Sequence, residues 1–259
     1  MKTELRTIDA HTHVQSPEFD LDRNEVILRA LDLGIGMINS GADLDSSKKA
    51  VELTQKYENV WATVGIHPTE NRVDGDWEEI KKLSNHPKVI AVGECGLDYF
   101  RDKEESVQKK QIELFKNHID LSFESQKPLV IHCREAFIDM IDLLQSSKEK
   151  LLSKPGIFHF FTGTKENTEI LLDMNFSFTF GGLITFNRSF DDLVRFIPLD
   201  HILVETDAPL VSPKSHRGQR NEPIYVTEVI KSIASIKNIP LQEVTVKILK
   251  NTKNVFNIV

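Results

Sequence analysis

Cysteine is scarce: Cys95 and Cys133 are the only two in 259 residues, and they form neither a CxxC pair nor a disulfide framework. That leaves out a disulfide-stapled secreted scaffold and points to a reduced intracellular protein. No stretch approaches the roughly 20 apolar residues of a membrane span. Met1 to Ala10 alternates charged with apolar residues and lacks the apolar run of a signal peptide, so a cytoplasmic protein with no membrane partner is expected. Positive charge is also short: 32 Lys and Arg stand against 39 Asp and Glu, a formal charge of −7. This excludes a broad electrostatic grip on nucleic acid, which needs clustered cations, although bound metal would supply local positive charge. No repeat, linker or low-complexity tract interrupts the chain.

What is present is an ordinary globular composition, 40% hydrophobic and 27% charged, at a length close to the roughly 250 residues of one (β/α)8 barrel. Eight short β-rich runs alternate with longer amphipathic stretches. The runs are Leu5 to Asp9, Gly36 to Asn39, Val60 to Val64, Val89 to Gly93, Leu129 to Ile131, Gly156 to Phe158, Phe176 to Phe180 and Ile202 to Val204. The clearest helix spans Glu104 to Ser125, with Ile112, Phe115, Ile119 and Phe123 at the spacing of one buried face. Ile224 to Phe256 reads as two helices parted at Pro240. The expected fold is α/β, a single-domain (β/α)8 TIM-type barrel over residues 1–259. An open doubly wound sheet gives the same alternation, and the site residues decide between the two.

Six residues of metal-binding type fall at or just beyond the ends of separate runs. His11 and His13 follow the first run and, two apart on an extended chain, project to one face. Glu94 follows the fourth between glycines, His132 and His159 end the fifth and sixth, and Asp207 lies past the eighth. Each alone has an ordinary explanation: a strand-end polar residue, an ion pair, a core histidine, a turn aspartate. Together they are hard to credit to chance, because the C-terminal strand ends of a barrel form one face, where active sites lie. Four histidines and two carboxylates suit Zn, Mn, Co or Fe by ligand type, whereas Mg prefers more oxygen ligands. A two-ion site bridged by a carboxylate serves in-line attack on phosphorus, and also amide and ester hydrolysis.

These motifs make the chain resemble the TatD-like deoxyribonucleases, a branch of the metal-dependent amidohydrolase superfamily. The likeness rests on Asp9-Ala10-His11-Thr12-His13, Gly65-Ile66-His67-Pro68, Gly93 to Tyr99, Ile131 to Arg134, His159 to Gly163, Glu205-Thr206-Asp207 and Arg217 to Pro223. The resemblance implies two divalent cations (Mg, Mn or Zn), one held by His11, His13 and Asp207 and the other by His132 and His159, with Glu94 shared. It implies DNA as substrate, single-stranded or at 3′ ends, cleaved by a water that Asp207 deprotonates, with Glu94 also catalytic. His67 would contact the scissile phosphate and Glu205 would stand beside the site. Arg134, Arg217 and Arg220 are further candidates for substrate phosphates, with Lys214 beside them. Arg220 is equally placed to pair with Glu222.

Two positions depart from many relatives: Phe160 follows His159 where cysteine is common, and Thr69 follows Pro68 where histidine is common. Both bear on the substrate pocket rather than on metal ligands. Three other readings stay open: a small-molecule amidohydrolase or esterase, an aminoacyl-tRNA deacylase, and a non-catalytic metal-stabilised binding protein. Glu94 stands where many small-molecule members carry a carboxylated lysine, which favours the phosphodiester branch. A monomer is expected.

Overall fold

In the computed structural model, which describes residues 4–70 and 75–259, eight strands form one all-parallel sheet in sequential order. They are β1 Thr7–Thr12, β2 Ile35–Ser40, β3 Val60–Val64, β4 Val89–Asp98, β5 Leu129–Arg134, β6 Gly156–Phe158, β7 Ser177–Phe180 and β8 Ile202–Val204. Beyond β8 the backbone N–H of Asp207 donates to the His11 carbonyl at 2.9 Å, and His13 N–H donates to the Ala208 carbonyl at 2.8 Å. Those bonds bring the last strand back to the first, so the sheet is a nearly closed barrel.

Helices α1 Arg23–Asp32, α2 Leu44–Lys56, α3 Asp76–Ser84, α4 Glu105–Ser125, α5 Phe137–Ser146, α6 Lys165–Asp173, α7 Asp191–Phe196, α8 Val226–Lys237 and α9 Leu241–Phe256 surround it. The expected break at Pro240 is the N-cap of α9. The buried face of α4 runs through Leu114, Phe115, His118 and Ile119; Phe123, expected in the core, is exposed.

The apolar core has two layers. One lies between strands and helices. The other is the barrel interior, built from Ile8, Ala10, Ile38, Trp61, Ala91, Val130, Ile157 and Leu203, with Val255 and Phe256 of α9 packed against it. Asn251 of α9 donates to the carbonyls of Leu199 and Ile202, which fixes that helix at the N-terminal ends of the strands. The barrel is therefore floored at one end, and its polar residues gather at the other.

Strands β1 and β4 each carry a register irregularity: Asp9 pairs with Met37 while Thr12 pairs with Asn39, and Val92 pairs with Leu129 while Cys95 pairs with Ile131. In each case one strand advances three residues while its partner advances two. An extra residue reverses the alternation of faces. Ala10 and Ala91 belong to the interior layer, and the inward alternation then resumes at His11 and at Glu94. The glycines flanking Glu94 serve this path. Gly96 has φ +136° and approaches β5 so closely that a Cβ would lie 2.0 Å from the His132 carbonyl oxygen.

Candidate metal centre

Above the interior layer, His11, His13, His67, Glu94, His132, His159 and Asp207 converge. Three groups have ligand atoms all within 4.8 Å of one another: His11, Glu94 and His159; His11, His13 and Asp207; His67, Glu94 and His132. All six expected metal ligands are thus brought together, from β1, β4, β5 and the segments just past β1, β6 and β8.

Glu94 stands at the centre, and its two oxygens face different partners. Oε2 lies 3.4 Å from His11 Nε2 and 3.6 Å from His13 Nε2. Oε1 lies 2.9 Å from His159 Nε2, 3.3 Å from His132 Nδ1 and 3.4 Å from His67 Nε2. Asp207 Oδ1 closes the first group at 3.4 Å from His13 Nε2 and 3.7 Å from His11 Nε2. Asp207 reaches this position with a left-handed φ of 54°, which aspartate tolerates better than most residues.

Hydrogen bonds behind the rings decide which nitrogens are bare. His13 Nδ1 lies 2.8 Å from the Ser40 carbonyl oxygen, which can only accept, so Nδ1 carries the proton and Nε2 presents a lone pair. His132 Nε2 lies 3.0 Å from Asp98 Oδ2, so its Nδ1 is the bare atom. Ser40 Oγ, 3.0 Å from His11 Nδ1, can accept from that nitrogen and leave His11 Nε2 free. Ring nitrogens then face one another, His11 Nε2 and His13 Nε2 at 3.0 Å and His132 Nδ1 and His159 Nε2 at 3.2 Å, beside carboxylate oxygens. Imidazole nitrogens and carboxylate oxygens gathered this closely form groups able to hold a cation.

His67 differs. The backbone N–H of Thr69 donates to its Nδ1 at 3.3 Å, which leaves the proton on Nε2, pointed at Glu94. It therefore enters the site as a hydrogen-bond donor. Burial, with His132 and His159 beside it, outweighs the pull of Glu94 and pushes its pKa down to about 4, so the ring is neutral. Its place is set by α4, where buried His118 donates from Nδ1 to the Leu114 carbonyl and accepts the Ile66 N–H at Nε2.

Burial opposes ionisation of Glu94, but the charge of His159 and the hydrogen bond with His11 hold its carboxyl well below the usual range. Asp207 is held low by His13 and His11 against the same burial. For Asp98, the hydrogen bond from His132 and the Arg101 backbone N–H overcome burial and lower the pKa to about 2.

The remaining candidates separate. Glu205, expected beside the site, stands 3.8 Å behind His159 Nδ1, but it is fully buried and accepts from the Phe160 N–H at 2.7 Å, so it is set to support the site rather than to meet substrate. Arg220 is committed elsewhere: its two terminal nitrogens donate to Asp22 at 2.7 and 2.6 Å, and one of them also to Glu222 at 3.1 Å. Its fork is filled, and the expectation of a substrate contact gives way to a structural ion pair. Arg134 and Arg217 are exposed, each over an aromatic ring, Phe100 at 3.7 Å and Phe186 at 4.5 Å. Lys214 is exposed. Sequence reasoning passed over Ser40 and Asp98, the groups that set the histidine tautomers. Asp98 was detectable, since Glu94, Gly96 and Asp98 alternate on one face of β4.

The profile of the family described as TatD related DNase matches residues 8–257. The chain belongs to this family. An uncharacterized metal-dependent hydrolase, YabD of Bacillus subtilis, is 36% identical over 96% of this chain and 98% of its own. The 3′-5′ ssDNA/RNA exonuclease TatD of Citrobacter koseri is 31% identical, over 96% of this chain and 98% of its own. Among solved structures, the TatD homolog YJJV of Escherichia coli superposes with a TM-score of 0.90 at 27% identity, covering 98% of this chain and 99% of the other. Membership of the TatD family makes the chain a metal-dependent hydrolase, and the histidine-carboxylate cluster contains groups able to hold a metal. Among the described residues no helix is long and apolar enough to cross a membrane.

Proposed function

We propose that the chain hydrolyses phosphodiester bonds of single-stranded DNA from the 3′ end, at a site taking two divalent cations. The observation that carries this reading is the division of Glu94, one oxygen toward His11 and His13 and the other toward His132 and His159. His11, His13 and Asp207 would hold one cation, His132 and His159 the other, and Glu94 both. A cation pair, when bound, neutralises phosphate charge and lowers the pKa of water toward ~7. The exonuclease named among the relatives supports the substrate class.

The chain's own groups do the rest. Asp207, ionised at neutral pH, accepts the proton of the attacking water. His67 donates its Nε2 proton to a non-bridging phosphate oxygen, a contact that a neutral imidazole makes without adding charge. Ser40 and Asp98 hold the rings of His13 and His132 in the ligating tautomers. The free cysteines, both buried, suit a reducing compartment such as the cytoplasm.

The test is digestion of a 5′-labelled single-stranded oligonucleotide with Mg, Mn or Zn. A stepwise ladder, abolished by chelator and by Glu94→Ala, is the expected result. No cleavage with any ion by metal-loaded protein would overturn the reading and favour ester or aminoacyl-tRNA substrates.

A further inference from the structure

Strands β4 and β5 run on as a pair past the metal-binding residues, with Gly96 beside His132 and Asp98 beside Arg134. Arg134 follows His132 by two residues, so it leaves the strand on the same face, one repeat or roughly 6.7 Å farther out. Its guanidinium lies 3.7 Å over the ring of Phe100, which is 46% exposed just beyond the end of β4. Lys103 adds a second cation 5.6 Å from the same ring.

Two features set this pair apart from an ordinary surface contact. A half-exposed phenyl ring at the mouth of a polar site has an apolar cost that burial elsewhere would remove. And the Arg134 guanidinium, among the described residues, makes no hydrogen bond or ion pair, whereas Arg220 in the same molecule has its fork filled by Asp22 and Glu222. An aromatic platform beside an uncommitted arginine is the combination that holds single-stranded nucleic acid: bases stack on rings and guanidinium planes, and the cation's donors meet phosphate oxygens.

We propose that Phe100 and Arg134 form a nucleotide subsite, the ring and guanidinium plane stacking a base and the arginine donors binding its phosphate, one nucleotide from the scissile bond. This rests on the nuclease reading of the metal centre. The subsite recognises the base by its flat face, so it accepts any of the four and discriminates against a position with no base. Phe100 acts on strand binding and lies outside the reacting atoms.

The test compares wild type with Phe100→Leu on two 5′-labelled oligonucleotides, one intact and one with an abasic nucleotide beside the 3′-terminal bond. Wild type is expected to show a KM roughly ten-fold higher for the abasic strand, the scale of one stacked base. In F100L the intact strand should rise to the same KM, erasing the preference, a change that general loosening of the fold would not produce. Arg134→Gln should raise KM and flatten the dependence of binding on salt by about one counterion. A wild-type preference that persists undiminished in F100L, or no preference in wild type, overturns the subsite while leaving the nuclease reading standing. Failure of wild type to cut either strand overturns both.

Discussion

Asp98 Oδ2 lies 3.0 Å from His132 Nε2, on the side of the ring away from Glu94, and so dictates which nitrogen His132 offers to the site. Asp98→Ala frees the ring to rotate and to exchange tautomers. A loss of roughly 10–100-fold in metal affinity is expected, read by calorimetry with Zn or Mn. Unchanged affinity would show that the ring is held by packing alone.

Glu94→Ala and Asp207→Ala should each lower kcat/KM by roughly 10³-fold or more, the scale of losing a principal electrostatic group. Neither side chain belongs to the apolar layers of the barrel, so cooperative unfolding should persist in both. Wild-type turnover in either variant would remove that carboxylate from the reaction.

His67→Ala should slow phosphodiester cleavage by about 10²-fold, the worth of one aimed donor, with metal content unchanged. The contrast in tautomer with His13 and His132 makes this a sharp distinction. Metal lost in parallel with activity would reassign His67 as a ligand.

Metal removal should lower the thermal midpoint. At a concentration near 100 times the dissociation constant a bound ion contributes about 2.7 kcal/mol, which for a chain of this size corresponds to roughly 5–10 °C. A midpoint insensitive to chelator, followed by differential scanning calorimetry, would mean that the cluster tolerates its crowded ring nitrogens without a cation.

Arg220→Ala should destabilise by about 1 kcal/mol, a modest figure because both Arg220 and Asp22 are partly exposed. Arg220 holds the Asp22 carboxyl below its ordinary 3.8. A carboxylate with a lowered folded pKa contributes its stability above the unfolded value and loses it as pH falls through the folded one. The difference between variant and wild type should therefore be complete at pH 7 and shrink below pH 3.8. A difference independent of pH would assign it to Arg220 packing on Phe19 instead.

The parts of the site that were legible in the sequence follow the strand repeat of two. Val130 leads to His132, Ile157 to His159, and Leu203 through Glu205 to Asp207, each series starting from the interior layer. The β1 and β4 runs were cut short, at Asp9 and Gly93, where the structure continues to Thr12 and Asp98. The extra residue in each strand breaks the alternation, and the polar side chains beyond it look like the start of a loop. The Arg220–Glu222 pair is legible from adjacency in the sequence, but the stronger partner is not: Asp22 lies 198 positions from Arg220. Phe123 falls within the spacing expected of the buried face of α4, yet at that end of the helix Leu121 and Ser122 are the buried residues and Phe123 turns outward.

The packing of α9 against Ile8, Trp61 and Leu203 makes the barrel a cup rather than a tube. No polymer can be threaded through it. On the nuclease reading proposed above, a strand end would dip in through the rim that bears Phe100 and Arg134, and whatever is cut off would back out by the same opening before the strand advances. Traffic through one mouth, with product and next substrate in competition for it, is built into the architecture irrespective of the chemistry at its base.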